Sequence, residues 1–539
     1  MTAAIDITKE QRKIIIELLR RFLPDAEVWA YGSRVKWTAR TNSDLDLVAF
    51  ASAEEHRNVS DLKDALSESD LPFLVDLHVW DDVPEKFRRN IEKEHIVFQN
   101  AGKNRGTEGL AMEWQDRSLG DIYEFGSGIS KPRSAFGSGH PFLTFKDVFY
   151  NVFVPDRMGD LVNSTEKERA ACSIRRGDVF LTRTSETMHE LGMSCVALKD
   201  YESATFNGFT KRLRPKEGVG IAPEYAAYFF RSPHFRAEVT AMSSLSTRAS
   251  LNNEMLSRLR IAFPDEPTQK AIGGILKAFD DKIELNRRMS ETLETMARAL
   301  FKSWFVDFDP VQAKTEGHAT DLPKGVADLF PARFVDSELG LIPKGWQVGS
   351  VYDTAKVIYG APFASTQFNT DGFGEPLIRI RDLATEAPGV WTPEIHPKGY
   401  RVRHGDIVVG MDGEFRAYLW GGPVAWVNQR ICVFRPNPGW SAAFVRNSIM
   451  EPLARIEATE TATTVIHLGK YDIDQFRVVL PDENVLNTFN QTAQPWYDLI
   501  VTGKTQSRAL AALRDTLLPK LISGEVRVKD VERIVGGAT

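Results

Sequence analysis

The chain has few cysteines and lacks the short motifs that usually mark a metal or ATP site. Its only cysteines, Cys172, Cys195 and Cys432, are far apart and show no CxxC spacing. This usage indicates no zinc site and fits a reducing compartment. The ten histidines form no HExxH pattern, and no GxxxxGK[ST] loop is present. Neither a zinc hydrolase nor a P-loop ATPase is therefore indicated.

Long apolar runs and a strong excess of one charge are also missing. No uncharged apolar run approaches the length of a membrane span. The N-terminus, MTAAIDITKEQRK, lacks the apolar core of a signal peptide. We therefore expect a cytoplasmic protein with no membrane partner. The net charge of −6 does not itself favour nucleic acid, although a basic face can be local.

The remaining composition is that of an ordinary globular protein. Apolar residues make up 42% and charged residues 26% of the 539 residues, which is typical of soluble domains. A chain of this length is expected to hold about three or four domains.

Two long amphipathic segments dominate the pattern. From Pro267 to Trp304, apolar residues recur at steps of three and four, and Asn286 falls in the same stripe. This predicts a long helix with a narrow apolar seam. A comparable stripe runs from Val485 to Leu521. So thin a stripe needs a second long helix to pack on, and an Asn in the seam favours one register.

The same landmarks precede both segments, in the same order. Three pairs of stretches resemble one another: RLRIAFPDEPTQ and QFRVVLPDENVL, IRRGDVFLTRTS and VRHGDIVVGMDG, EWQDRSLGDIYEFGSG and GWQVGSVYDTAKVIYG. An ordered set of matches indicates an internal repeat. The predicted architecture is a mixed domain, a long helix, a second mixed domain and a second long helix.

The first hundred residues have a different pattern, with carboxylates near strand ends. Gly32 and Ser33 follow a strand-like segment, Asp44 and Asp46 alternate with leucines, and Asp76 lies in a later apolar segment. Alternation places Asp44 and Asp46 on one face of a strand. Neighbouring carboxylates suit Mg²⁺, and a Gly-Ser turn offers N–H groups and a hydroxyl to phosphate.

This segment resembles the minimal nucleotidyltransferases of the polymerase-beta superfamily. The resemblance implies that Asp44, Asp46 and Asp76 are catalytic and bind Mg²⁺. It also implies that Gly32, Ser33 and Arg34 bind the nucleoside triphosphate. The chain departs from the family at Trp37, where a glycine is often found, and the indole would narrow the nucleotide pocket. The simpler interpretation is a solvated edge strand followed by an ordinary turn.

From residue 113 to about 530 the chain resembles the specificity (S) subunits of type I restriction–modification systems. The resemblance rests on WQDRSLGDIYEFGSGISKP, on Gly177-Asp178-Val179, on the helix from Phe279 to Val311, and on LRDTLLPKLISGEVRV. It implies two target-recognition domains held apart by two antiparallel helices. Each domain would read one half of a split site in double-stranded DNA, and the helices would set the distance between the halves.

The resemblance also implies partners. Two modification subunits would carry S-adenosylmethionine, and two restriction subunits would use ATP and Mg²⁺. The chain has no NPPY or DPPY motif and no Gly-rich S-adenosylmethionine loop. Methylation and cleavage would therefore be carried out by those partners, and the specificity half would bind no cofactor. The alternative hypothesis is a nucleotidyltransferase directed by the DNA-binding half. A third is an N-terminal domain that binds nucleotide without turnover and regulates the complex.

Cationic side chains are the candidates for DNA contact, because Arg and Lys bind phosphates and base edges best. The candidates are Lys131, Arg133, Arg183, Lys211 and Arg248 in the first domain, and Arg379, Arg381, Arg416 and Arg430 in the second. Arg379 and Arg381 alternate in LIRIRDL and are predicted to share a strand face. The loops near Arg183 and Arg416 are favoured. For each residue, the simpler interpretation is a solvated surface charge.

The fold prediction is a multidomain α/β protein. The expected divisions are a nucleotidyltransferase-like domain (1–100), a linker (101–112), a first recognition domain (113–265), a first spacer helix (266–306), a linker (307–342), a second recognition domain (343–483) and a second spacer helix with the C-terminal end (484–530).

Overall fold

The computed structural model divides the chain into two compact units, Met1–Ala111 and Met112–Thr539. It describes residues 5–24, 26–36, 39, 43–51, 56–84, 88, 91, 95–99, 114–183, 190–243, 251–459 and 466–531. Within these ranges, no helix is long and apolar enough to cross a membrane.

The first unit is a small sheet covered on one face by helices. Its elements are α1 (Lys9–Phe22), β1 (Glu27–Tyr31), β2 (Leu45–Phe50), α2 (His56–Ser67), β3 (Val75–Val79) and β4 (Ile96–Gln99). The strand order is β3-β2-β1-β4, with β2 and β3 parallel and the other pairs antiparallel. Helix α1 begins at a capping box formed by Thr8 and Gln11. Buried Val28, Leu47 and Leu62 belong to the core of this unit.

The first half of the second unit contains nine strands and six short helices among its described residues. They are β5 (Gln115–Ser118), α3 (Leu119–Ile122), β6 (Tyr123–Ser127), β7 (Phe136–Leu143), α4 (Phe145–Tyr150), β8 (Asp160–Val162), α5 (Glu166–Ala171), β9 (Val179–Thr182), β10 (Ser194–Val196), β11 (Thr205–Phe206), β12 (Thr210–Pro215), α6 (Pro223–Phe229), α7 (Pro233–Ser243), α8 (Asn253–Arg258) and β13 (Arg260–Phe263). The central sheet has the order β10-β9-β12-β6.

A 40-residue helix, α9 (Glu266–Phe305), follows. The remaining elements are α10 (Asp309–Thr315), α11 (Lys324–Ala327), β14 (Phe334–Ser337), β15 (Gly340–Pro343), β16 (Gln347–Ser350), α12 (Val351–Thr354), β17 (Ala355–Tyr359), β18 (Glu375–Ile378), β19 (Val390–Thr392), β20 (Arg401–Val402), β21 (Ile407–Gly410), β22 (Ala417–Leu419), β23 (Ala425–Val427), β24 (Ile431–Pro436), α13 (Ala442–Thr459), α14 (Lys470–Asp474), β25 (Arg477–Leu480) and a second 40-residue helix, α15 (Glu483–Ile522).

The two halves repeat the turn before their central strand. Gly177 has φ +88° and Gly405 has φ +85°, a conformation that favours glycine at the third position of such a turn. The next residue, Asp178 or Asp406, is buried. Its carboxylate accepts from the backbone N–H of Arg175 or Arg403, at 2.7 or 2.8 Å. The sequence repeat is therefore a repeat of structure.

The long helices pack against each other in antiparallel fashion. Asn286 of α9 lies opposite α15, and its Nδ2 donates to the backbone oxygen of Gly503 and to Ser507 Oγ, both at 3.2 Å. Towards the N-terminus of α9, Asp280 pairs with Arg514. Asn286 is buried, so a polar contact fixes the register where the sequence predicts it.

Each half of the second unit packs on both helices. Leu276 of α9 and Leu521 of α15 belong to the core of the first half. Phe301 of α9 and Phe489 of α15 belong to the core of the second half. The predicted fold class, α/β regions separated by two long antiparallel helices, is confirmed.

Candidate functional site

The first candidate site lies on the face of the first unit's sheet that carries Asp46. This residue pairs with Tyr31 on β1 and with Asp76 on β3, so the two carboxylates are neighbours, as predicted. Asp44 lies just before β2 and is exposed. Burial, followed by repulsion from Asp76 and Asp44, raises the pKa of Asp46. A cation here would relieve this repulsion.

Gly32 brings the backbone directly over Asp46. It has φ +82°, and a Cβ at this position would lie 2.1 Å from Asp46 Oδ2. Both the conformation and the close approach require glycine. The Gly32-Ser33 backbone is thus beside the carboxylates, in the position expected of a phosphate-binding turn.

The residues fit a metal–nucleotide site in part. Asp46 and Asp76 lie side by side on paired strands, and Mg²⁺ usually completes its shell with water and substrate phosphates. Among the described residues, however, no three His, Cys, Asp or Glu side chains converge closely enough to hold a metal by themselves. The arrangement suits a cation that arrives with a nucleotide better than a closed metal cage.

Arg34 does not have the geometry expected of a nucleotide ligand. It is buried and donates to the backbone oxygens of Asp6 and Ser43, at 2.7–3.0 Å. Its guanidinium also lies 3.9 Å from the centre of the Phe73 ring. It holds the loop in place and is turned away from solvent. Trp37 lies outside the described residues.

The second candidate site is formed twice, once in each half of the second unit, at a tight turn. The segments FNGFTKRLRP and VNQRICVFRP align without a gap, from Phe206 and from Val427. In each, the asparagine makes an isolated parallel bridge, to Ile129 in the first half and to Ala361 in the second. The alignment makes Phe209 and Arg430 equivalent.

The backbone confirms this equivalence. Arg183 N–H donates to the backbone oxygen of Phe209, and Met411 N–H donates to that of Arg430, both at 2.9 Å. Arg183 and Met411 occupy the same place in the two GD-containing segments. Each half thus joins the end of its central strand to a turn whose tip residue is exposed. We name Phe209 and Arg430 the tip residues.

In the first half, the candidate cations differ in exposure. Arg183 is half-buried at the end of β9. Lys211 is buried, and its Nζ donates to Ser127 Oγ at 2.8 Å. Burial, and then the nearby charge of Arg183, lowers the pKa of Lys211. Lys211 is therefore not an exposed cation.

The loop after β6 also contains candidates. Lys131 pairs with Glu168 at 2.8 Å, and this bond is the main reason that the pKa of Glu168 is lowered to about 2. Arg133 is exposed on a short 3-10 turn. Of these two, Arg133 is the more accessible cation. Arg248 lies outside the described residues.

In the second half, the predicted shared face of Arg379 and Arg381 is wrong. Strand β18 ends at Ile378, and Arg379 is the N-cap of a short 3-10 helix, Ile380–Asp382. The side chain of Arg379 pairs with Asp382 at 3.0 Å, whereas Arg381 is exposed. The Asp382 carboxylate accepts from Arg379 N–H at 2.9 Å, and this local bond stops the strand.

The Arg430 tip belongs to a network of three segments. Asp412 Oδ1 lies 3.5 Å from Arg430 Nη1 and 2.7 Å from His467 Nδ1. Arg416, the favoured candidate, is exposed and pairs with Glu414 at 2.7 Å. Phe209, Asp412 and His467 were not among the predicted site residues. A gapless alignment of the two repeats shows the position of Phe209, whereas Asp412 and His467 meet Arg430 through contacts between distant segments.

Comparisons with known proteins agree with this division. Residues 112–295 match the family model described as Type I restriction modification DNA specificity domain. Residues 13–103 match the model described as Polymerase beta, Nucleotidyltransferase.

Individual relatives cover both parts. The chain is 26% identical over 438 residues to the Type I restriction enzyme MjaIX specificity subunit of Methanocaldococcus jannaschii, across 78% of this chain and 95% of that protein. It is 43% identical over 102 residues to the Probable protein adenylyltransferase MntA of Haemophilus influenzae, across 19% of this chain and 90% of that protein. The crystal structure of a type I S subunit from M. genitalium covers 77% of this chain and 98% of its own, with 12% identity and a TM-score of 0.46. The family-model matches and the relatives in sequence show that the chain belongs to the specificity subunits of type I restriction–modification systems and carries, at its N-terminus, a nucleotidyltransferase domain of the polymerase beta family.

Proposed function

We propose that residues 113–530 read a bipartite site in double-stranded DNA, one half-site with each repeat, and hold the modification and restriction subunits on it. The observation that carries this proposal is the repeated tip geometry on antiparallel helices. Two equivalent recognition surfaces on a rigid support are what a split site requires, since the support fixes their separation. We also propose that the chain is divided into domains at the bounds predicted from the sequence.

The helices give the expected distance between the half-sites. The first half packs around Leu276 and the second around Phe301 of the same helix. At about 1.5 Å per residue these positions are about 38 Å apart, which is about one turn of B-DNA, or about 11 base pairs from centre to centre. Both half-sites would then face the protein from the same side of the duplex.

The spacer helices also supply a surface for partner subunits. Leu285, Met296 and Leu499 are large apolar side chains on these helices and are about half exposed. We infer that a modification subunit docks beside each half, so that two copies carry S-adenosylmethionine to the two half-sites. Two restriction subunits, which use ATP and Mg²⁺, complete the assembly. The specificity half itself binds no cofactor in this scheme.

The test is a selection from a randomised duplex library with the full chain and its modification subunit. The enriched sequences should contain two specified blocks separated by unspecified base pairs, with block centres about 11 base pairs apart, that is, about 38 Å along B-DNA. Enrichment of one uninterrupted block, or equal retention of all sequences at moderate salt, would contradict the proposal.

A second function is favoured by the contact between Gly32 and Asp46. We infer that the N-terminal unit transfers a nucleoside monophosphate from a nucleoside triphosphate to a hydroxyl. The acceptor hydroxyl gives up its proton as its oxygen attacks the α-phosphorus, the bond from the α-phosphorus to the oxygen that bridges to the β-phosphorus breaks, and pyrophosphate leaves with that oxygen. Ser33 and the adjoining N–H groups would orient the phosphates, while Asp44, Asp46 and Asp76 would hold Mg²⁺, which neutralises charge when bound. By similarity to a probable protein adenylyltransferase, we take the acceptor to be a protein.

The test is label transfer from ATP marked on its α-phosphate to protein, with Mg²⁺ and the full chain. Asp44→Asn with Asp46→Asn should abolish transfer and leave DNA selection unchanged. Asp61→Asn is the matched control, because Asp61 is exposed on α2, which packs in the core of this unit. Equal labelling by the double variant would exclude this site. Nucleotide binding without transfer by the parent would support a regulatory role.

A further inference from the structure

We propose that the two tip residues determine base specificity, with Arg430 reading a guanine in the second half-site and Phe209 making an apolar contact at the corresponding base pair of the first. This inference rests on the proposed DNA-reading function and assigns the chemistry of its two halves. The repeats have the same backbone at this point and different side chains. They are therefore expected to reach the same place on DNA and to read different bases there.

The shared backbone comes from several independent bonds. Beyond the tip contacts, Leu251 N–H donates to the backbone oxygen of Arg183, and Leu468 N–H to that of Met411, at 2.9 and 2.7 Å. In both halves, the glycine that follows strand β6 or β17 lies directly against the segment that carries the tip residue. A Cβ on Gly128 would lie 2.3 Å from the Phe206 backbone oxygen, and one on Gly360 would lie 2.0 Å from an oxygen in the equivalent segment. These backbone contacts thus fix the position of each tip residue.

The surroundings of Arg430 favour a base edge over a phosphate. Its side chain is 54% exposed, and the carboxylate of Asp412 lies beside it. The carboxylate of Asp412 would repel a DNA phosphate and so weaken a contact between Arg430 and the DNA backbone. A guanidinium that is oriented by a carboxylate can still offer two parallel donors to O6 and N7 of guanine, which is the commonest specific contact of Arg.

His467 strengthens the orientation of this group. Its ring binds the same Asp412 oxygen, so one carboxylate joins residues from three separate segments of the second half. Arg416 differs, because its partner among the described residues is Glu414, two residues away, and both side chains are 66% exposed. A local pair of that kind is weakly ordered. The network at Arg430 is ordered by the fold.

Phe209 is suited to a different contact. It is 62% exposed and its side chain has no donor. Its backbone N–H donates to Asn207 Oδ1 at 2.7 Å, and Thr210 Oγ1 donates to the Asn207 backbone oxygen at 2.7 Å, so the turn is held from both sides. An exposed aromatic ring on a fixed turn can pack on a thymine methyl group in the major groove.

The experiment repeats the duplex selection with variants of the full chain and its modification subunit. Arg430→Ala should reduce the preference for guanine at one position of the second half-site by about tenfold or more, with the first half-site unchanged. Arg430→Lys should weaken the same preference and keep the affinity for sequences without that guanine, because it retains the charge without the two parallel donors. Phe209→Ala should change the first half-site alone. Arg455→Ala removes an exposed Arg from the α13 helix and should leave every position unchanged.

Three outcomes would overturn the inference. Unchanged preferences with Arg430→Ala and Phe209→Ala would show that the tips do not touch bases. An equal loss of affinity for all sequences would make Arg430 a phosphate contact. A parent complex that selects no split sequence would refute the proposed function itself, and this result is separable because it requires no variant.

Discussion

Two adjacent glycines in the first spacer helix should respond in opposite ways to the same substitution. Gly273 and Gly274 are both interior residues of α9. A Cβ on Gly274 would meet no atom within 4 Å. A Cβ on Gly273 would lie 2.8 Å from the backbone carbon of Glu224 and 2.8 Å from the backbone nitrogen of Tyr225. Gly274 therefore faces open space, and Gly273 faces the backbone of α6.

The obstructing backbone cannot move away freely. Gln269, one turn earlier on α9, is buried and accepts from Ala222 N–H at 2.8 Å while it donates to the Gly220 backbone oxygen at 3.0 Å. Movement of α6 away from α9 would break these buried hydrogen bonds. The substitution at position 273 must therefore be accommodated by strain.

The magnitude follows from two terms. Gly→Ala in a helix interior stabilises by about 1 kcal/mol at either position. Overpacking against a fixed backbone costs about 1–3 kcal/mol and applies only to Gly273→Ala. Gly274→Ala should thus raise stability by about 1 kcal/mol, and the two variants should differ by about 1–3 kcal/mol.

The assay is amide hydrogen exchange in α6, supported by the thermal midpoint of the full chain. Gly273→Ala should speed exchange at the buried residues of α6, and Gly274→Ala should leave it unchanged or slow it. Equal effects of the two substitutions would refute the packing of α9 on α6. The double variant provides a check, since its effect should equal the sum of the single effects.

Three further predictions concern buried charges. Burial raises the pKa of Asp406, so the folded state loses stability as the pH rises and this carboxyl becomes charged. One Oδ atom of Asp406 accepts both of its side-chain hydrogen bonds, and an Asn oxygen can replace it. Asp406→Asn should therefore leave the free energy of unfolding unchanged near pH 3 and raise it at pH 7, as measured by unfolding at both values. Asp178→Asn should instead lower the unfolding midpoint at pH 7, because both Asp178 oxygens accept from Arg214. Arg446→Ala should destabilise the second half by on the order of 3 kcal/mol in urea unfolding, because buried Arg446 joins that half to Glu294 of α9 at 3.1 Å. A loss below about 1 kcal/mol, which is the contribution of an exposed ion pair, would contradict this prediction.

Much of this fold is predictable from local pattern. The stripe through Asn286 predicts a long helix with a polar contact in its seam, because helical periodicity is visible in sequence. Thr8 and Gln11 predict the start of α1 through capping chemistry. Asp46 and Asp76 are predicted to be neighbours through strand alternation and the family resemblance. Each of these features depends on residues close together in the chain or on a distinctive motif.

The exposure of cations could not be predicted in the same way. Lys211 shares a face of β12 with buried Leu213, and β12 lies between β9 and β6, a strand order that the sequence does not show. LIRIRDL reads as a strand, yet Asp382 bonds back to Arg379 and ends it. The network around Asp412 joins residues that are far apart in sequence. Such features depend on sheet order and long-range contacts, which periodicity does not record.

The most direct test of the central claim is a map of methylated bases. The full chain would be expressed with its modification subunit in a host without DNA methylation, and methylated positions would be read by long-read sequencing. We expect one split motif, methylated in both halves, with half-site centres about one helical turn apart. Methylation at a single uninterrupted motif, or none from an assembled complex, would contradict it.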